Sequence, residues 1–223
     1  MKSLRVALLA AAALLAAVPC ASAADLGDGP PRRSIKDAPY VPPSVFSWTG
    51  FYIGTHLGYG WSDLDWQNVS NSLGGSGALA GGQIGHNWQK GAVVFGVEGD
   101  ASASWVDGGN GCCGHSVDWA TSLRGRLGVA FYDNRTLLYG TGGVAWAHID
   151  YSDDTFAGYS KTHFGWVIGG GLEHMLTQSL SARVEYLYYD FKDDTAPAGA
   201  LGAGPTKIDP TMQTVRFGLN LKF

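Results

Sequence analysis

The sequence predicts an all-β chain, an eight-stranded antiparallel up-and-down transmembrane β-barrel, on three observations. The carboxyl-terminal stretch 211–223 alternates Val215, Phe217, Leu219, Leu221 and Phe223 with Thr214, Arg216, Gly218, Asn220 and Lys222, and it ends on an aromatic residue. Such half-apolar alternation recurs about eight times, and the opposite faces collect Glu, Arg and Gly, as a closed sheet facing lipid requires. Between the alternating stretches, connections are short and long in turn.

Ahead of the strands, Lys2 and Arg5, the apolar run from Ala7 to Val18, and Ala21-Ser22-Ala23 read as a secretory signal over residues 1–23. The mature chain is expected to begin at Ala24. That apolar run is too short for a membrane helix, which needs about 20 apolar residues. Pro19 before Cys20 is a poor fit for lipoprotein processing, so Cys20 is expected to leave with the signal. Residues 24–46, with Pro30, Pro31, Pro39, Pro42 and Pro43 among Arg32, Arg33, Lys36 and Asp37, read as a Pro-rich periplasmic leader. The barrel domain is 47–223.

Period two assigns the faces. The first strand, 48–61, sends Phe51, Ile53, Thr55, Leu57 and Tyr59 outward and Tyr52 and His56 inward. The second, 78–89, sends Ala80, Ile84, His86 and Trp88 outward and Gln83 and Asn87 inward. In the third, 93–105, Val93, Phe95, Val97, Ala101 and Trp105 oppose Glu98, Asp100, Ser102 and Ser104. The fourth, 118–130, puts Trp119, Leu123, Leu127 and Val129 opposite Arg124 and Arg126. Both faces of the fifth, 136–149, are small or apolar; Leu138, Val144 and Trp146 are placed outward and Thr141, Gly143 and Ala145 inward. The sixth, 163–174, has Trp166, Ile168 and Leu172 opposite Glu173, and the seventh, 179–191, has Leu180, Val184, Tyr186 and Tyr188 opposite Arg183 and Glu185.

Short connections at 89–92, 131–135 and 175–178 alternate with long ones at 62–77, 106–117, 150–162 and 192–210, as periplasmic turns and extracellular loops do. An even strand count then leaves both termini in the periplasm. Trp48, Trp61, Trp88, Trp105, Trp146, Tyr151 and Tyr188 fall near strand ends and are expected at the membrane borders.

Glu98, Asp100, Arg124, Arg126, Glu173, Arg183, Glu185 and Arg216 all point into a lumen that eight strands make just wide enough for side chains. Their expected role is a structural network of charge-assisted pairs; a polar pore and carboxylate catalysis are the alternatives. No Gly-x-Ser-x-Gly or His-Glu-x-x-His motif is present. A Ser160, His163, Glu173 set fails because His163 and Glu173 lie about 30 Å apart along one strand. The expectation is no enzyme, no cofactor and no metal site, with His56, His86, His148, His163 and His174 as interface or interior groups.

Cys112, Cys113 and His115 in the second long loop are a candidate ligand site. The adjacent thiols can form a strained disulfide, stay free, or capture a metal or haem with His115, and the sequence leaves these open. A net charge of −4 without a basic tract excludes the footprint of a nucleic-acid binder. The 33 glycines show no three-residue period, which excludes collagen.

Several motifs carry a resemblance: Ala24-Asp-Leu before the Pro-rich leader, Trp48-Thr-Gly-Phe-Tyr-Ile-Gly54, Ala80-Gly-Gly-Gln-Ile-Gly-His-Asn-Trp-Gln89, Val94-Phe-Gly-Val-Glu-Gly99, Leu123-Arg-Gly-Arg-Leu-Gly128, Leu138-Tyr-Gly-Thr-Gly-Gly143, Gly165-Trp-Val-Ile-Gly-Gly-Gly-Leu-Glu173 and Val184-Glu-Tyr-Leu-Tyr-Tyr189. Over most of the mature chain the sequence resembles the alphaproteobacterial outer-membrane β-barrel family that includes Brucella and Bartonella small major surface proteins and rhizobial "porin family" proteins. The resemblance implies a small barrel of the OmpA/OmpX kind, insertion by the barrel-assembly machinery, and roles from envelope integrity to surface interaction, with haem binding in some relatives. It supplies no catalytic residue. His86 stands where many relatives have Tyr.

The expected protein is a monomeric, non-enzymatic barrel of the outer membrane in contact with its lipids and lipopolysaccharide, with Phe223 as an assembly signal. Its expected role is structural, in envelope integrity. Surface binding through the long loops and small-solute passage are the alternatives.

Overall fold

The computed structural model describes residues 46–66, 73–109, 113–153, 159–192, 194–196 and 206–223. The signal and leader expectations fall on residues outside these, apart from Phe46 at the leader's end. One antiparallel sheet contains β1 (Gly50–Trp66), β2 (Leu73–Lys90), β3 (Val93–Gly109), β4 (Cys113–Phe131), β5 (Thr136–Asp153), β6 (Tyr159–Met175), β7 (Leu180–Phe191), β8 (Asp194–Ala196) and β9 (Thr206–Lys222). Sequential strands pair up to β7, β9 follows, and β9 pairs back to β1 from Tyr52↔Lys222 to Trp66↔Ile208. The sheet is thus a closed barrel of eight long strands, with the three-residue β8 added on β9. Closure leaves no open edge along the seam, as a sheet in hydrocarbon needs.

Alternation survives almost intact as an inside and an outside. Leu57, Leu127, Leu123, Ile84, Leu138 and Phe217 are more than half exposed, whereas Glu98, Arg124, Glu185 and Arg216 are about 1% exposed. For a sheet in lipid this inversion is the stable one, since its apolar groups face hydrocarbon and its charges face each other. The fifth strand follows the expected register: Leu138 is outside, while Leu137, Tyr139, Thr141 and Ala145 are inside.

At one end the connections are tight. Gly91 turns β2 into β3 at φ +62°, a left-handed conformation that glycine adopts without strain. The turn from β4 to β5 runs through Tyr132, Asp133 and Asn134, all at positive φ. It is held from inside: Trp48 Nε1 donates to the Asn134 carbonyl at 2.8 Å, and Gln89 Nε2 donates to Asn134 Oδ1 at 3.1 Å. Between β6 and β7, Leu180 N donates to Thr177 Oγ1 at 2.9 Å.

At the other end the strands run further than the sequence suggests. The stretches expected as loops are largely paired: Ser62↔Gly75 and Leu64↔Leu73 extend β1 and β2, Val106↔Val117 and Gly109↔Gly114 extend β3 and β4, and Asp150↔Ser160 extends β5 and β6. The last expected loop also contains β8 and the start of β9. The reason is physical. Beyond the membrane a strand has no lipid to face, so it loses the apolar alternation that marks it. Crossing the bilayer takes about 9–11 residues of tilted strand; most of these strands have 17 to 19.

Trp48 also departs from expectation. It lies inside the short-turn end, 2% exposed, against Val94, Ala130, Leu137, Tyr139 and Met175, rather than at the membrane border. It precedes β1, so the strand's alternation does not govern its direction. Trp61, Trp88 and Trp105 are on the outer wall.

Candidate functional site

Three layers fill the lumen. The Trp48 cluster occupies the short-turn end. A second apolar cluster, including Val106, Val117, Ile149, Val167, Leu187, Phe191 and Met212, occupies the long-connection end. Between them lie the charges. The interior is therefore not polar throughout: Val106, Val117, Val167 and Leu187 are inward apolar residues, and Val106 and Val117 lie in a stretch that the sequence reads as a loop.

All eight predicted interior charges meet in the middle layer, and they are four guanidiniums and four carboxylates. Arg124 lies 2.6 Å from Glu98, 3.1 Å from Asp100 and 3.1 Å from Glu185. Arg183 reaches Glu98 at 2.6 Å and Glu185 at 3.9 Å. Arg126 joins Glu173 at 2.7 Å to Glu98 at 3.4 Å, and Arg216 reaches Asp100 at 2.7 Å. Equal numbers of each sign leave this layer formally neutral. An isolated charge buried here would be costly, and mutual pairing with added hydrogen bonds offsets that cost.

The added bonds come largely from residues that the sequence reading did not assign to the network. Tyr52 Oη donates to Glu98 Oε2 at 2.6 Å and accepts from Arg126 Nη1 at 2.8 Å. Tyr139 Oη donates to Glu185 at 3.0 Å, and its ring lies under the Arg126 guanidinium, 4.0 Å from centroid to Cζ. Tyr189 Oη accepts from Arg216, Ser122 donates to Asp100, and Ser181 and Asn220 donate to Glu173. Asn220 also accepts from Gln83, whose carbonyl meets His56 Nδ1 at 2.6 Å; His56 Nε2 meets Ser102 Oγ at 2.8 Å. Inward alternation was the available signal for Tyr139 and Tyr189, but Leu137 and Leu138 beside Tyr139, and Leu187, Tyr188 and Phe191 beside Tyr189, are apolar or aromatic.

Close glycines let these large groups fit. A Cβ on Gly85 would stand 2.4 Å from Tyr52 Oη, and one on Gly171 would stand 2.7 Å from Tyr139 Oη. Near the long-connection end a hollow of about 10 Å³ remains beside Ser62 and His115, room for roughly one water. A larger hollow, about 900 Å³, is lined by the outward Thr55, Ala101 and Thr121 and also by the inward Gln83, Asp100 and Asn220.

The remaining predicted residues lie apart from this layer. Phe223 is at the seam, 75% exposed, with its ring 6.5 Å from the Phe51 ring, and its N–H donates to the Phe51 carbonyl at 3.0 Å. Lys222 Nζ donates to the Ser47 carbonyl beside it. His115 is buried and turned inward, where Nε2 meets Ser62 Oγ at 2.9 Å. Cys112 lies outside the described residues, and Cys113 is the first residue of β4, opposite Asp153 on β5. His163 is buried and Ser160 exposed, on opposite faces of β6, so these two do not converge with Glu173.

A family model described as "Outer membrane protein beta-barrel domain" matches residues 8–223. The chain belongs to this outer-membrane β-barrel family. Within it, the chain is 36% identical over 193 residues to a "22 kDa outer membrane protein" of Rhizobium leguminosarum bv. viciae, covering 84% of this chain and 83% of that one. It is 35% identical over 232 residues to the "25 kDa outer-membrane immunogenic protein" of Brucella canis, covering 100% of both. The fold is similar to that of the outer membrane protein OprG of Pseudomonas aeruginosa, with a TM-score of 0.52, 18% identity, and 78% of this chain and 97% of that one covered. Family membership and the barrel fold together give the location, the outer membrane.

Proposed function

We propose that this family member is a non-conducting scaffold of the outer membrane, with a role in envelope integrity. The observation that carries the reading is the layered lumen, in which a neutral network of eight charged side chains is sandwiched between two apolar clusters. A route for solutes would have to break several buried ion pairs and displace Trp48 at one end and Met212 and Phe191 at the other. In this reading the short turns and both termini face the periplasm, the long connections face outward, and the barrel acts as a monomer among lipids and lipopolysaccharide. In this reading the barrel is non-enzymatic.

Surface binding at the long-connection end, through the stretches 62–77, 106–117, 150–162 and 192–210, is the second reading. It is favoured by the word "immunogenic" in the name of the Brucella canis relative, which fits exposed segments. Rigid strands allow such segments to vary without rebuilding the barrel. The deciding experiment restores a deletion strain with the intact protein or with one whose four connections are replaced by tight turns. Resistance to detergents and large antibiotics returning with both proteins supports the scaffold; its return with the intact protein alone supports surface binding.

A further inference from the structure

The pairing of β4 with β5 skips one residue. Val117 pairs with Ile149 and Trp119 with His148, which leaves Asp118 as an unpaired bulge residue. Bulges re-aim side chains, and here Asp118 is exposed on the same outer face as Trp119, His148 and Asp150. One ligand atom from each of Asp118, His148 and Asp150 falls within 4.8 Å of the others.

The imidazole is held as a ligand would be. Its ring stacks on Trp119 with centroids 5.9 Å apart and an interplanar angle of 6°. His148 Nδ1 is 3.1 Å from Thr162 Oγ1 on β6. Nε2 is thereby turned toward the carboxylates and lies 3.7 Å from Asp150 Oδ1. Ser116 Oγ donates to Asp118 Oδ1 at 2.9 Å and steadies the third donor. A hydrogen-bonded outer nitrogen is the usual means of fixing the ring of a metal-binding histidine.

We propose that Asp118, His148 and Asp150 bind a divalent transition-metal ion of the Zn²⁺ type on the outer wall, near the long-connection end. One imidazole and two carboxylates suit Zn²⁺, with bonds of about 2.0–2.2 Å, and three protein donors leave a position open for water. The side chains of His148 and Asp150 are 29% and 47% exposed, so rotation can draw the donors together without moving the strands. Mg²⁺ is disfavoured because it prefers a complete oxygen octahedron and keeps its waters. The ion would clip β4 to β5 at the bulge, where the ladder is interrupted.

The test titrates Zn²⁺, and in parallel Mg²⁺, into the detergent-folded protein by calorimetry. The expected result is one saturable Zn²⁺ site and no Mg²⁺ binding. His148→Ala and Asp150→Asn should each weaken it at least about ten-fold, and Thr162→Val, which touches no ion, by about ten-fold through the loosened ring. Asp118→Asn, at an exposed unpaired residue, is the variant least able to disturb folding, and heat-modifiable migration verifies each barrel. The double variant Cys112→Ser/Cys113→Ser should leave the isotherm unchanged. Absence of saturable Zn²⁺ binding below about 100 µM, an isotherm that His148→Ala and Asp118→Asn leave unaltered, or one abolished by the cysteine changes would each overturn the site.

Discussion

Arg183 on β7 donates from Nη1 to Glu98 Oε2 on β3 at 2.6 Å, a bond across the lumen between residues 85 apart in sequence. These strands share no sheet edge, so the contact ties opposite walls. Glu98 also meets Arg124 at 2.6 Å and Arg126 at 3.4 Å, which makes it the carboxylate on which three guanidiniums converge.

Glu98→Gln should therefore be strongly destabilising. It keeps the shape and removes the charge, and breaking a buried pair costs about 3–5 kcal/mol. Chemical unfolding of the detergent-folded barrel measures it. Adding Arg183→Leu should cost less than the sum of the two single changes, because the second removes a charge that the first leaves unpaired. Strict additivity would show that the pair is not coupled.

Trp48→Ala should cost about 3–5 kcal/mol, as emptying a packed core site does. The indole fills the Trp48 cluster and holds the Asn134 carbonyl. Unfolding midpoints for Trp48→Ala and Trp61→Ala separate a core plug from a lipid-border residue; the second should change little.

Leu127→Arg tests which side faces lipid. Leu127 is 64% exposed on β4, one residue after Arg126, which is 5% exposed. An arginine on the lipid face of a barrel is destabilising by an amount that rises with depth, up to about 2–4 kcal/mol at the bilayer midplane. Equal stability of Leu127→Arg and wild type in lipid vesicles would contradict the assignment.

How much of this was legible in the sequence depends on whether lipid marks the residue. Leu127 and Arg126 declare their faces because hydrocarbon and lumen make opposite demands of adjacent positions. Ser62, Asp63 and Gly75 sit in strands beyond the apolar band, where nothing demands alternation, and so they read as loop. Asp118 was equally silent, since a bulge is a property of the pairing between two strands and not of either alone. Trp48 was misplaced because its direction comes from the turn it packs against. The charge partners were foreseeable as a set, but which arginine meets which carboxylate depends on strand stagger, and the tyrosines that complete the layer looked apolar.

Deleting Phe223 should lower the yield of inserted barrel more than the stability of what is inserted. The residue is exposed, and it meets the Phe51 carbonyl and ring at the seam, away from the charged layer. Phe223→Leu should retain more insertion than the deletion. Quantifying heat-modifiable protein in outer-membrane fractions checks this, and full insertion of the deletion would remove the assembly role.

The most direct test of a sealed lumen is planar-bilayer conductance of the reconstituted wild-type barrel, beside a variant carrying Trp48→Ala, Glu98→Ala and Arg183→Ala. The wild type should show no reproducible solute-sized steps, and the variant, if it remains folded, should leak more than the wild type. Stable wild-type channels whose conductance follows electrolyte concentration would contradict the closed lumen and make solute passage the working function.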